Sequence, residues 1–344
     1  MSVNASAISP DAAVPRGPLP RGVSGAAARS RRLERRVALV SIVAPFLGTV
    51  VAIVSLWGYA IGPRELGLLA VMYSISVVGL GLGYHRYFSH ASFQTSAAGR
   101  ALLAILGSIS AEGPPLYWAA IHRRHHQFSD RPGDPHSPNL HGDGVGGLLR
   151  GLWHAHTGWL FVHESTDWSR WVPDLLRDRM LFRINQLYFL WIALGLAIPA
   201  AIGGALSGTL EGAALGFLWG SAVRIFLVHH MTWSVNSISH VWGARPYESR
   251  DSSCNNPLIA VMTFGDGWHN NHHAFPTSAF HGLEWWEIDV TNYLILALEA
   301  TGLIWKVNHP PEKARRRPRR VESWPNRPEV EVEVEVEVGT QTPA

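Results

Sequence analysis

The sequence is poor in cysteine, in lysine and in charge of either sign. A single cysteine, Cys254, in 344 residues excludes a disulfide scaffold, a zinc ribbon or a four-cysteine iron–sulfur centre built within this chain. Lysine occurs only as Lys306 and Lys313, so arginine carries almost all the basic charge. Charged residues make up 16% and hydrophobic residues 47%, whereas soluble domains carry about 25% charged residues. That deficit argues against a purely cytosolic chain. With 29 basic and 26 acidic residues, the net charge of +3 is too small to mark a nucleic-acid partner, and none is expected. Histidine is missing before His85, yet there are 18 in all.

Long uncharged runs are present. Val37–Ala60 holds 24 residues without a charge, about 36 Å as a helix, enough to cross a bilayer core of about 30 Å. Leu66–Tyr84 and Leu187–Leu206 are two more. A fourth starts at Gly212 and is interrupted by Arg224, with His229 and His230 following, and is the weakest of the four. Ala101–Ala111 suits an interfacial or re-entrant helix. The expected fold is all-α and integral to the membrane: four helices in two hairpins under a cytoplasmic helical cap. Arg29, Arg31, Arg32, Arg35 and Arg36 precede the first span. The positive-inside rule then predicts cytoplasmic N- and C-termini, in a bacterial plasma membrane given the arginine-rich composition. Residues 1–36 read as a disordered basic tail and 37–307 as the membrane domain. Residues 308–344, with an alternating Glu-Val tract, read as a low-complexity charged tail.

The histidines cluster at regular spacings. His85 and His90 form HRYFSH at the end of the second span. His122, His125 and His126 form HRRHH, and His269, His272 and His273 form HNNHH. His240 closes NSISH, one helical turn after Asn236. Residues at i, i+3 and i+4 share a helix face, and imidazole suits iron, zinc, copper and nickel. Nine such histidines exceed the needs of one ion, so two metals are the economical count. The others carry plainer readings: a turn for His136, solvated or supporting positions for His141, His163, His281 and His309, and an intermediate reading for His154, His156, His229 and His230.

These motifs, with DPHSP, TWSVNSISH, GARPYESRDSS and GDGWHNNHHAFP in this order between two hydrophobic hairpins, resemble the membrane-bound acyl-CoA Δ9 desaturases. The resemblance covers roughly 37–307. It implies two irons held by His85, His90, His122, His125, His126, His240, His269, His272 and His273, with Asn236 contacting one through water. It also implies that Trp118, Thr232 and Trp233 lie near the bend of an acyl tunnel and that Tyr73 and Val77 close its end. The chain departs from that family in several places. Ala120 and Ile121 stand where animal members carry an arginine–aspartate pair that holds coenzyme A. Glu112 replaces an uncharged polar residue, and Asp266 stands where Glu is common.

The expected reaction is a cis double bond, at Δ9, in a saturated acyl chain on coenzyme A, using O2 and a di-iron centre. Because the chain has neither an iron–sulfur ligand set nor the HPGG haem motif of cytochrome b5, the two electrons are expected from a separate ferredoxin- or cytochrome-type partner. GLGLG at 79–83 lies within a span and reads as helix packing rather than a dinucleotide loop. The alternatives are an acyl-lipid substrate, a di-iron hydroxylase of alkanes, sterols or carotenoids, and a non-catalytic metal transporter. Transporter ligands would sit near the bilayer midplane, whereas these boxes sit at span ends.

Overall fold

The computed structural model describes residues 21–25, 28–56, 61–162 and 164–311. Most of the two tails, His163 and the last four residues of the expected first span lie outside them. Four helices are long and apolar enough to cross a bilayer: Arg32–Ser55, Pro63–Ser89, Tyr188–Ser207 and Leu210–His240. The cap between and after them is helical too, chiefly Pro115–Phe128, Gly144–His156, Pro257–Met262 and His269–Ala274. Two-residue and three-residue strand pairs pin its edges: Val23–Gly25 pairs with Glu164–Thr166, and Gln94–Thr95 with Ile304–Trp305, both antiparallel.

The four spans are not equivalent. Only 17% and 11% of the first and third are buried, against 50% and 61% of the second and fourth. The outer two are apolar on all sides, which suits helices that face lipid. The inner two carry small residues that let backbones approach. Gly79 and Gly83 sit against the backbone of the Ala97–Ser108 helix, so GLGLG is indeed a packing surface. The third and fourth spans turn tightly at Gly208, whose φ of 70° is left-handed. Thr209 then caps the fourth span by accepting from Gly212 N at 3.0 Å.

Arg224 interrupts the apolar run of the fourth span but not its helix. The helix runs through Arg224 to the NSISH box. Arg224 is fully buried and donates to the carbonyls of Ile109 (2.5 Å), Gly195 (2.9 Å) and Gly220 (3.2 Å) and to Ser76 Oγ (3.1 Å). Hydropathy charges the guanidinium its full cost, but these acceptors, from three other helices as well as its own turn, replace its water. The main core packs around the histidine-bearing half of the second span, with Leu80, Leu82, Tyr84, Phe88, Leu103 and Leu116 at its centre.

Candidate metal centre

The second span changes register just where its histidines begin. Over Gly79–Ser89 it is a π-helix, and His90 N donates to His85 O at 3.3 Å. In an α-helix, residues five apart point about 140° away from each other. The wider π turn brings them onto one side. The HxxxxH spacing therefore works because the helix is underwound here, which periodicity alone does not announce.

Nine histidines converge into two groups. One comprises His85, His90, His122, His126 and His272; the other comprises His125, His240, His269 and His273. The nine sequence candidates are thus all brought together, but the two HxxHH boxes are split reciprocally. His122 and His126 serve the first group and His125 the second; His269 and His273 serve the second and His272 the first. Each short helix lies between the two sites and supplies both.

The donor geometry fits cations. In the first group His85 Nε2 lies 2.9 Å from His272 Nε2, His272 Nε2 lies 2.9 Å from His126 Nε2, and His90 Nε2 lies 2.8 Å from His122 Nε2. In the second, His240 Nε2 and His269 Nε2 are 2.9 Å apart. Metal–imidazole bonds of about 2.0–2.1 Å at right angles give an edge of about 2.9 Å. His125 Nε2 and His273 Nε2 are buried with no hydrogen-bond partner, a costly arrangement unless an ion takes their lone pairs. Burial pushes the pKa values of His122, His126, His269 and His272 well below the ordinary histidine value, which keeps these rings in the neutral form that ligates.

Behind the imidazoles stand carboxylates that the sequence reading did not assign. Asp134 accepts from His125 Nδ1 (3.0 Å), Asp130 from His240 Nδ1 (3.0 Å) and Asp251 from His273 Nδ1 (2.5 Å). In the first group only His85 has such a partner, Asp266 at 3.3 Å. A carboxylate on Nδ1 fixes the ring's orientation and leaves Nε2 for the metal. Burial alone would raise these four carboxyls. The imidazoles beside them, with Arg86 on Asp266, outweigh it and hold all four below the usual range. Asp130 also binds Ser137 Oγ, Asn139 Nδ2 and the Ser252 amide, tying three cap segments to His240.

The arginines of HRRHH bond away from the two histidine groups. Arg123 donates to the carbonyls of Ser89 and Phe88, closing the end of the second span. Arg124 reaches Gly133 O, Thr166 Oγ1 and Glu164. Asn236 is half-buried one turn before His240. His281 is not solvated: it is fully buried with Nδ1 3.2 Å from Asp266. His136 is buried beside His125, with ring centroids 4.4 Å apart. His309 is exposed, as expected.

The expected substrate residues occupy two places. Trp118 stacks on His122 at 4.9 Å and lies 5.9 Å from His85. Trp233 is buried and donates Nε1 to Glu112 Oε2 at 3.3 Å; Thr232 precedes it, half-buried. Tyr73 donates its hydroxyl to Met262 O at 2.7 Å and packs with buried Val77 at the edge of the main core. Glu112 lies at the turn between the Ala97–Ser108 and Pro115–Phe128 helices, and burial pushes its pKa up to about 8.

A family model described as fatty acid desaturase matches residues 64–296. Among curated proteins, the hex-5-enoyl-[acyl-carrier protein] acetylenase of Moorena producens is 48% identical over 283 residues, 82% of this chain and 88% of that protein. The sn-1 stearoyl-lipid 9-desaturase of Synechocystis is 36% identical over 73% of this chain and 74% of its own. The icosanoyl-CoA 5-desaturase of Limnanthes douglasii is 36% identical over 70% of this chain and 64% of its own. With the family match spanning both histidine groups and the second, third and fourth membrane helices, this chain belongs to the fatty acid desaturase family.

Proposed function

We propose that this chain is an O2-dependent fatty acyl desaturase whose nine histidines, with Asn236 through water, hold two irons. The observation that carries the reading is the convergence of those nine imidazoles into two buried sites at the ends of apolar helices. A di-iron centre with dioxygen supplies the oxidant able to take hydrogen from an unactivated methylene. In the overall reaction two C–H bonds are broken and a C=C bond forms. Two external electrons and two protons join the two hydrogens removed, and O2 leaves as two waters. The electrons come from a separate ferredoxin- or cytochrome-type protein at the cytoplasmic face, where the termini also lie, in the plasma membrane of a bacterium. The protein's own work is ligation, exclusion of water and placement of the acyl chain. Trp118, Thr232 and Trp233 flank the reacting carbons, and Tyr73 and Val77 lie farther along the same apolar space. By this reading the domain is 37–307 and the two tails take no part.

The finer reading from the histidine boxes is cis-Δ9 desaturation of an acyl-CoA. A second reading of the carrier rests on a specific observation: the 48%-identical relative is named for an acyl chain on acyl-carrier protein. Ala120, wholly buried, leaves no charge where coenzyme A would need one, which favours that carrier too. The test is fatty-acid analysis of a desaturase-deficient host expressing the chain, with His125→Ala as control. A new unsaturated acid that is lost in the control supports the reaction. A hydroxylated product moves the protein to the rival hydroxylase class. No oxidised product with iron bound and a reductant supplied overturns the enzyme reading.

A further inference from the structure

Glu112 and His229 face each other beside Trp233 and are left unsatisfied. Glu112 Oε1 lies 3.8 Å from His229 Nε2, and their side chains are 6% and 3% exposed. Neither atom has a hydrogen-bond partner. Glu112 Oε2 is held by Trp233 Nε1, and the Trp233 and His229 rings lie 4.9 Å apart. The next residue, Gly113, ties this group to the metal side. Its carbonyl accepts from Tyr84 (3.2 Å), whose ring is 5.8 Å from Trp118, and Trp118 stacks on His122. A carboxyl and an imidazole with free polar atoms therefore stand at the far end of the packed series His122, Trp118, Tyr84 and Gly113.

We propose that the Glu112–His229 pair, in place of Tyr73 and Val77, closes the acyl path just past the metal centre, so that the preferred substrate is a short chain whose reacting carbons lie near its methyl end. This rests on the desaturase reading and narrows its substrate. A methylene chain threaded past two unpaired buried polar atoms would strip them of any water and return no hydrogen bond. A chain that ends before them pays nothing, and a single water between the two atoms can satisfy both. The two residues are 117 positions apart in sequence, so the pair arises only in the fold. The six-carbon, terminally unsaturated chain in the name of the 48%-identical relative is the kind of substrate such a closed path admits.

The experiment offers the iron-loaded protein, with a reductant system, acyl-carrier-protein and coenzyme A thioesters of six to eighteen carbons, and locates the new unsaturation by mass spectrometry. Wild type should oxidise the short chains near the methyl end. Glu112→Met/His229→Leu should raise the ratio of long-chain to short-chain product by about tenfold or more, the scale on which unpaired buried polar groups discriminate. Glu112→Gln, which keeps shape and polarity, should shift the ratio less. If the double variant loses iron or fails to fold, the wild-type profile decides alone. An internal double bond in a sixteen- or eighteen-carbon chain, made as readily as any short-chain product, overturns the closure while leaving the desaturase reading intact. An unchanged chain-length ratio in an iron-replete double variant overturns it too. No oxidised product from any chain overturns the desaturase reading itself.

Discussion

The two histidine groups solve the same problem with opposite emphasis. One gathers five imidazoles and has a single carboxylate, Asp266, behind them; that carboxylate is shared among His85, His281 and Arg86. The other gathers four imidazoles and sets a carboxylate behind three of them. Imidazole brings no charge, so the richer ligand set leaves its ion's charge largely unbalanced. In the leaner set Asp130, Asp134 and Asp251 are held ionised by the rings they orient. A deficit of direct ligands is thus offset from the layer behind.

The harshest way to break this comparison is to remove one imidazole from each group. His272→Ala and His269→Ala should each lower product formation by about a thousandfold or more, as expected when a ligated ion is lost from a centre that acts as a unit. Metal analysis of the purified variants should find close to one ion per chain rather than two. If either variant keeps both ions, the assignment of nine histidines to two sites is wrong.

A gentler cut tests the carboxylates. Asp251→Asn should weaken metal binding at the four-histidine site by about ten- to a hundredfold, the usual cost of losing such a partner. Asp266→Asn should do so at the five-histidine site only, and by less, because four of its imidazoles have no carboxylate to lose. Competition with a chelator, read as ions retained per chain, separates the two. Equal losses in both variants would mean that the asymmetry of carboxylates has no energetic counterpart.

Removing His281 is a smaller perturbation still. His281→Phe keeps the ring volume but removes the imidazole whose Nδ1 stands 3.2 Å from Asp266, which retains His85 and Arg86. A few-fold loss of affinity confined to the five-histidine site is expected, the scale of one polar contact behind a ligand. A loss as deep as that of a ligand would make His281 a tenth metal-binding histidine rather than a support.

Much of this was legible in the residues. The runs of uncharged sequence marked the spans, and HRYFSH, HRRHH, HNNHH and NSISH marked every histidine that converges. What the spacing could not show is which ring serves which site. That depends on where two short helices sit between the sites, and i and i+4 go one way while i+3 goes the other. The π register under His85 and His90 was hidden for the same reason: it is set by packing against Leu103 and Leu106, not by local propensity. Asp130, Asp134 and Asp251 stood beside the boxes, but their role needs distances. Arg224 weakened the fourth run in the sequence because hydropathy cannot see two carbonyls and a hydroxyl arriving from other helices. Glu112 was visible only as a departure from a family pattern until the fold set His229 opposite it.

Glu112 supplies the mildest test, because it touches neither group of metal ligands. Burial raises its carboxyl from an ordinary value of 4.5 to about 8, so the folded protein prefers it protonated. The stability this favours is present below pH 4.5, where both folded and unfolded forms are protonated. It falls away between 4.5 and 8 as the unfolded form ionises first. Wild-type Tm in detergent should therefore drop by several degrees more than that of Glu112→Gln between pH 5.5 and pH 8.5, while both proteins hold two ions. Parallel Tm profiles would show that Glu112 is ionised inside the fold, paired with a cation or protonated His229. Loss of an ion from Glu112→Gln would instead couple this layer to the metal sites above it and erase the separation on which the two-site comparison stands.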